Sequence, residues 1–327
     1  MNNINIWQII GFLLASYSVV ANDSLQTLGT YLSSNRNRTP KVIQIIFICS
    51  LTIGVLLIGW SQHQISAGYG DPSWGRLEQF PAPEQFKWFY ILPPIAVLIL
   101  TQFGVPVSTT FLVLTTFTFE NSWALLFSSL SGYGIAFFLS LTIYGFARWL
   151  VLTNSDQSSR QENESSTIWY LIQWLSTGWL WSQWLVQDLA NIFIYLPRQM
   201  NLVWMLIAAG VLCVGLCILV ATGGGPIQGI VNNKINTADL RSASAIDLLF
   251  GFVLFLAAKL STLPLSTTCI FLGLLAGREI ALRVGLEHDQ SIPLVNLLVP
   301  DLLKLAIGIL VSLLIAIALQ PLIQFTG

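Results

Sequence analysis

The sequence predicts an all-α integral membrane protein, a polytopic helical bundle built from two pseudo-repeats, each containing a re-entrant half-helix. Three observations point there. Of 327 residues, 54% are hydrophobic and only 9% are charged, against about a quarter charged in soluble domains. The apolar residues fall in uncharged blocks at 42–61, 168–187 and 202–220, each near the ~20 residues a helix needs to cross ~30 Å of hydrocarbon. Two short motifs occur twice, in the same order. This composition excludes a nucleic-acid binder and a charge-covered cytosolic enzyme, and the net charge of −1 says little about partners when lipid is the main solvent.

Apolar blocks read against breakers predict helices near 4–20, 42–61, 88–102, 122–147, 168–185, 202–220, 246–260 and 302–322. Residues 1–6 lack the basic start of a cleavable signal, so the first helix is expected to be permanent. The segments 107–119 and 265–276 are apolar but too short to span, as re-entrant half-helices are. Pro106 and Pro264 introduce them and are expected in the first helical turn, where no backbone donor is missed. The polar stretch 154–166 (NSDQSSRQENESS) divides the chain into a first repeat, 1–147, a linker, 148–167, and a second repeat, 168–327. Residues 61–87, with Gly68, Gly70, Pro72, Pro81 and Pro83, form a second aqueous excursion. Arg36, Arg38 and Lys41 crowd one short loop without an acid; by the positive-inside rule this loop faces the cytoplasm and the N-terminus lies outside.

The duplicated motifs carry the chemistry. Gly104-Val105-Pro106-Val107-Ser108-Thr109-Thr110 parallels Thr262-Leu263-Pro264-Leu265-Ser266-Thr267-Thr268, and upstream of each lies an acid among amides, Asn22-Asp23-Ser24-Leu25-Gln26 and Gln187-Asp188-Leu189-Ala190-Asn191. A half-helix opening inside the membrane presents unpaired N–H groups and the positive end of its dipole, an anion site without Arg or Lys. The hydroxyls of Ser108, Thr109, Thr110, Ser266, Thr267 and Thr268 add donors for a tetrahedral oxyanion. For one isolated copy, capping and small-residue packing is the simpler reading; duplication favours binding. An ionised carboxylate within lipid costs at least ~2.5 kcal/mol, so Asp23 and Asp188 call for a compensating cation, proton or donor set. Asn22, Gln26, Gln187 and Asn191 offer amide oxygens for Na+. The competing expectation is that both acids cap helix ends outside the hydrocarbon.

Ala21-Asn22-Asp23 and the paired Pro-x-Ser-Thr-Thr openings resemble the inorganic phosphate transporter (PiT) family, which carries a G-A-N-D-x-A-N and a G-x-P-x-S-T-T-H signature in each of two inverted repeats. The resemblance extends through Gly223-Gly224-Gly225-Pro226 and the polar stretch 232–244. It implies cation-coupled import of inorganic phosphate by alternating access about a midplane site. Gln26 and Gln187 stand where that family has Asn, and Phe111 and Cys269 where it has His. These departures leave Na+ and H+ open as coupling ion, and phosphate, sulfate or another oxyanion open as substrate.

Other residues carry weaker readings. Lys259 either offsets an anion or snorkels to the interface. Asp247 and Glu120 are expected at helix ends, and Arg278, Glu279, Arg283 and Glu287 on a solvated face. The tryptophans at 169, 174, 179, 181 and 184 are expected in an interfacial or lipid-facing position. Cys213 and Cys217 lack the further ligands of a metal site. An intramembrane aspartyl protease using Asp23 and Asp188 would leave the Ser-Thr-Thr pair idle, and a non-transporting sensor is the remaining alternative. The reading is therefore a multi-pass plasma (inner) membrane transporter, not an enzyme, moving phosphate or a similar oxyanion with Na+ or H+, with no organic cofactor and no nucleic-acid partner; a homodimer is compatible with it.

Overall fold

The computed structural model describes residues 4–153, 165–224, 240–260, 264–283 and 294–324. Among these residues there is no β-strand. Helix α1 spans Ile6–Asn35 and opens with a capping box in which Asn5 and Gln8 satisfy each other's backbone donors. Helix α2, Lys41–Ala67, closes on Gly68 at φ 82°, the left-handed end that glycine adopts without strain. A 3-10 turn, Trp88–Ile91, leads into α3, Leu92–Gln102. Then come α4 (Thr109–Phe117), α5 (Ser122–Thr153), α6 (Ser165–Asp188), α7 (Ala190–Phe193), α8 (Leu202–Thr222), α9 (Leu240–Leu260), α10 (Thr267–Arg283) and α11 (Leu294–Gln324).

Among the described residues, five helices are long and apolar enough to cross a membrane: α2, α8, α9 and the larger parts of α5 and α11. All five expose large apolar side chains, such as Ile46, Phe138, Ile207, Phe252 and Leu310, the surface that a lipid-facing helix presents. Helices α1 and α6 are not in that set; their early turns expose apolar residues such as Leu13, Tyr17, Leu171 and Leu175, and their later turns are buried. Residues from Ser18 to Leu32 on α1 are buried almost without interruption.

Helices α3 and α4 form an antiparallel hairpin. Gly104 at φ 64° turns the chain, and the far ends meet where the Tyr90 and Phe117 rings stack, centroids 5.0 Å apart. At nine residues α4 is about 13 Å long, so its first turn sits deep in the bundle. Along α5, helix α10 approaches backbone to backbone. A Cβ on Gly273 would sit 2.4 Å from the Tyr133 carbonyl oxygen and one on Gly277 2.2 Å from that of Phe137, while the Ser140 hydroxyl donates to the Leu274 carbonyl at 2.8 Å. This is the small-residue contact expected of helices packing without a hydrophobic drive.

Several expectations change. The first helix does not end near residue 20 but runs through Asp23 to Asn35. Its polar residues face neighbouring helices, so polarity there marks the interior of the bundle and not an exit into water. Pro106 and Pro264 lie ahead of the helix start; Ser108 and Ser266 are the caps, accepting from the Phe111 and Cys269 N–H groups at 3.1 and 3.2 Å. Helices α5 and α6 extend into the expected linker from both sides, and its centre, 154–164, lies outside the described residues. So do 225–239, with Gly225, Pro226 and most of the polar stretch, and Glu287 and His288. Trp181 and Trp184 are buried, stacked at 4.5 Å, and Trp181 donates to the Thr52 hydroxyl at 2.9 Å; neither faces lipid.

Candidate functional site

The N-termini of α4 and α10 meet in the bundle interior. The Thr268 hydroxyl, in the first turn of α10, donates to the Val107 carbonyl at the approach to α4, at 2.9 Å. The Asn22 amide, from the middle of α1, donates to the same carbonyl at 2.7 Å. Helix α6 ends on Asp188, and after Leu189 the short α7 carries Asn191 back to the same place.

Both acids are fully buried, at 0% exposure. Asp23 accepts from the Thr109 hydroxyl on Oδ2, and from Asn22 at 2.7 Å, Gln26 at 3.5 Å and Thr268 at 3.5 Å on Oδ1. Asp188 accepts from Thr110 at 3.2 Å and Asn191 at 3.1 Å on Oδ1, and from Thr267 at 2.7 Å on Oδ2. The donors cross over: of two adjacent threonines on α4, Thr109 serves Asp23 and Thr110 serves Asp188, while on α10 Thr267 serves Asp188 and Thr268 reaches Asp23. The Asn191 amide also donates to the Thr109 and Thr110 hydroxyls at 3.2 and 3.0 Å. No hydrogen bond joins the two carboxylates.

The amides are used on one side only. Asn22, Gln26 and Asn191 engage their nitrogens as donors, and their buried oxygens have no hydrogen-bond partner. A buried acceptor left unpaired costs ~1–3 kcal/mol. Three buried amide oxygens are thus left as unused acceptors in the cluster that holds the two carboxylates, oxygen ligands of the kind that hard cations take. The Ser108 and Ser266 hydroxyl oxygens are occupied as caps, and the four threonine hydroxyls point at the acids. Gln187 departs from the group: its nitrogen donates to the Leu254 carbonyl on α9 at 3.1 Å, and its oxygen is likewise unpaired. Thus Asn22, Asp23, Gln26, Asp188, Asn191 and the two Ser-Thr-Thr triplets converge, while Gln187 turns to the next helix. Among the described residues no cluster of three or more His, Cys, Asp and Glu side chains offers a metal site.

Two further polar clusters escape a reading of the sequence. Asp247 is not at a helix end but buried within α9, accepting from Thr30 at 2.5 Å, Thr177 at 2.6 Å and Gln173 at 2.9 Å. It ties α1, α6 and α9 together. Gln173 and Thr177, four apart on one face of α6, are the only sequence sign of it. Arg278 and Glu279 are not solvated either: they are 1% and 0% exposed and paired at 3.2 Å, with Arg283 3.5 Å from Glu279 and Ser242 accepting from Arg278 at 2.6 Å. An apolar helix with scattered charges reads as an exit into water, whereas here the charges satisfy one another inside.

No known protein-family model matches the sequence, and no curated protein does. A search of solved structures finds a structure described as "The sodium-dependent phosphate transporter", with a TM-score of 0.64 at 16% sequence identity, over 100% of this chain and 99% of that one. At that identity the likeness concerns architecture. The chain thus shares, along its whole length, the fold of a helical membrane transporter.

Proposed function

We propose that the protein is a secondary transporter of an inorganic oxyanion, phosphate in the first place, driven by Na+. The carrying observation is the buried cluster that brings Asp23 and Asp188 together with Asn22, Gln26 and Asn191, whose amide oxygens are unpaired, at the meeting point of two helix N-termini. Na+ bound at the carboxylates and amide oxygens neutralises the acids. The threonine hydroxyls then turn from the acids to the anion, joined by the free N–H groups of the first turns of α4 and α10. Anion and cation therefore favour each other's binding, which is what coupling requires. In this reading the chain is two inverted repeats, 1–147 and 168–327, with the α3–α4 hairpin and the start of α10 as re-entrant elements. It lies in the plasma membrane with its N-terminus outside. The name and fold of the solved transporter support the substrate and ion assignment. A shared-proton protease dyad is disfavoured, because each acid is bonded to threonines and amides and not to the other acid.

The test is uptake into proteoliposomes holding the full chain, comparing labelled phosphate with sulfate under imposed Na+ and H+ gradients. Accumulation of phosphate under a Na+ gradient is expected, with loss in Asp23→Asn and Asp188→Asn at unchanged membrane content. Sulfate accumulation would reassign the substrate, and an H+ requirement would reassign the ion. No uptake of either anion under either gradient, or undiminished uptake in either variant, would overturn the proposal.

A further inference from the structure

A cavity of about 370 Å³ lies between the 68–87 segment, α6 and α9. At ~30 Å³ per water it has room for about a dozen waters, or for a hydrated tetrahedral ion. Arg76 and Lys259 line it together with Gln183, Trp74 and Phe255. It lies against the stretch of α6 that goes on to Gln187 and Asp188. Arg76 is 7% exposed, and its Nε and Nη1 have no hydrogen-bond partner. A buried guanidinium left in that state costs several kcal/mol. Nearby acids do not relieve it: Asp71 is taken by Ser73 and Gly75, and Glu78 faces His63 at 3.8 Å. Lys259 stands exposed at the rim, its ammonium 5.7 Å from the centre of the Phe255 ring.

The segment carrying Arg76 is firmly built. Asp71 accepts from the Ser73 and Gly75 N–H groups at 2.8 and 3.1 Å. Gly70 accepts from the Met200 N–H at 3.0 Å. Trp74 holds φ 60°, a conformation that costs a bulky residue ~1–3 kcal/mol and persists only where its surroundings fix it. Burial pulls Arg76 down to about 10 while the Asp188 carboxylate acts in the opposite direction, so the guanidinium is charged at neutral pH and feels the acid of the cluster.

We propose that this cavity is a second oxyanion site, in which inorganic phosphate docks between Arg76 and Lys259 before passing to the Asp23–Asp188 cluster. Its place in transport rests on the function proposed above; the binding does not.

The experiment measures binding of labelled phosphate to the full chain in phosphatidylcholine nanodiscs, alongside uptake. Asp188→Asn, which disables the cluster, is expected to retain phosphate binding in the cavity. Adding Lys259→Gln or Arg76→Gln should weaken that binding at least tenfold, and Arg76→Lys should restore it to within about threefold. Lys259 is exposed, so its variant tests the site even where Arg76→Gln fails to fold. In uptake, Lys259→Gln should raise the half-saturating phosphate concentration more than it lowers the saturated rate. Binding to Asp188→Asn that ignores both basic residues overturns the site while leaving transport standing. Binding that depends on them, where the parent chain takes up nothing, sustains the site and removes the transport reading. No binding at all removes both. Loss of phosphate from the cavity in phosphatidylglycerol nanodiscs alone would assign it to a lipid headgroup and overturn the docking role.

Discussion

Replacing Gly277 with alanine tests whether the α5–α10 contact positions the cluster. The new Cβ would fall 2.2 Å from the Phe137 oxygen and 3.0 Å from the Leu141 nitrogen, against 3.4 Å for ordinary contact. Both obstacles are backbone, so no side chain can swing aside, and the helices must part by more than 1 Å at that level. Overpacking of this kind costs ~1–3 kcal/mol. Loss of the bond from Ser140 to the Leu274 carbonyl adds about 0.6 kcal/mol, for a total of about 2–4 kcal/mol. The same displacement stretches the Thr267–Asp188 and Thr268–Val107 bonds, now 2.7 and 2.9 Å, and misplacement on that scale can cost ~10²-fold in a tuned site. Denaturant unfolding in mixed micelles measures the first effect and uptake the second. Gly134→Ala on α5 is the control: nothing lies within 4 Å of its Cβ, and both variants gain the same helix propensity. Equal unfolding midpoints for the two would refute the close-packing argument.

Thr267→Val keeps the shape of the side chain but removes one of the hydroxyls that the proposed mechanism turns to the anion, a hydrogen bond to a charged group being worth ~1.5–3 kcal/mol; it should raise the half-saturating phosphate concentration for uptake about tenfold or more, while Thr267→Ser stays near the parent. Gly104→Ala meets no atom within 4 Å, so only its φ of 64° resists the change. The expected destabilisation is about 1–2 kcal/mol, read as a lower unfolding midpoint. Asp247→Leu strands three donors from α1 and α6, and a loss of about 3 kcal/mol or more is expected; unchanged thermal stability would show that the carboxylate is not what joins those helices.

The duplicated Ser-Thr-Thr and Asp–amide motifs stand out in the sequence because repetition is visible without coordinates, and their convergence follows from where α4 and α10 begin. The apolar spans are equally visible, since hydrocarbon thickness sets a length that residues 42–61 and 202–220 meet. The course of α1 is not. A hydropathy reading ends the helix where Asn22 to Gln26 begin, but in a bundle wide enough to have inner helices, polarity there faces other protein. The same blind spot hides Asp247 and the Arg278–Glu279 pair, whose partners lie on other helices at long sequence separation. Arg76 sits in a loop whose sequence shows only Gly, Pro and charge, and its burial depends on Asp71 and Met200 fixing the turn around it.

Thr109 and Thr110 are adjacent on α4, yet they answer to acids from two different helices, Asp23 on α1 and Asp188 at the end of α6. A twist of α4 large enough to free one carboxylate drags the adjoining hydroxyl off the other. Filling and emptying of the two acids are for that reason a joint event, and a half-loaded protein, with one acid satisfied and its fellow abandoned, is the state this wiring makes scarce. In the transport proposed above, scarcity of that state would limit leakage of the driving ion without cargo.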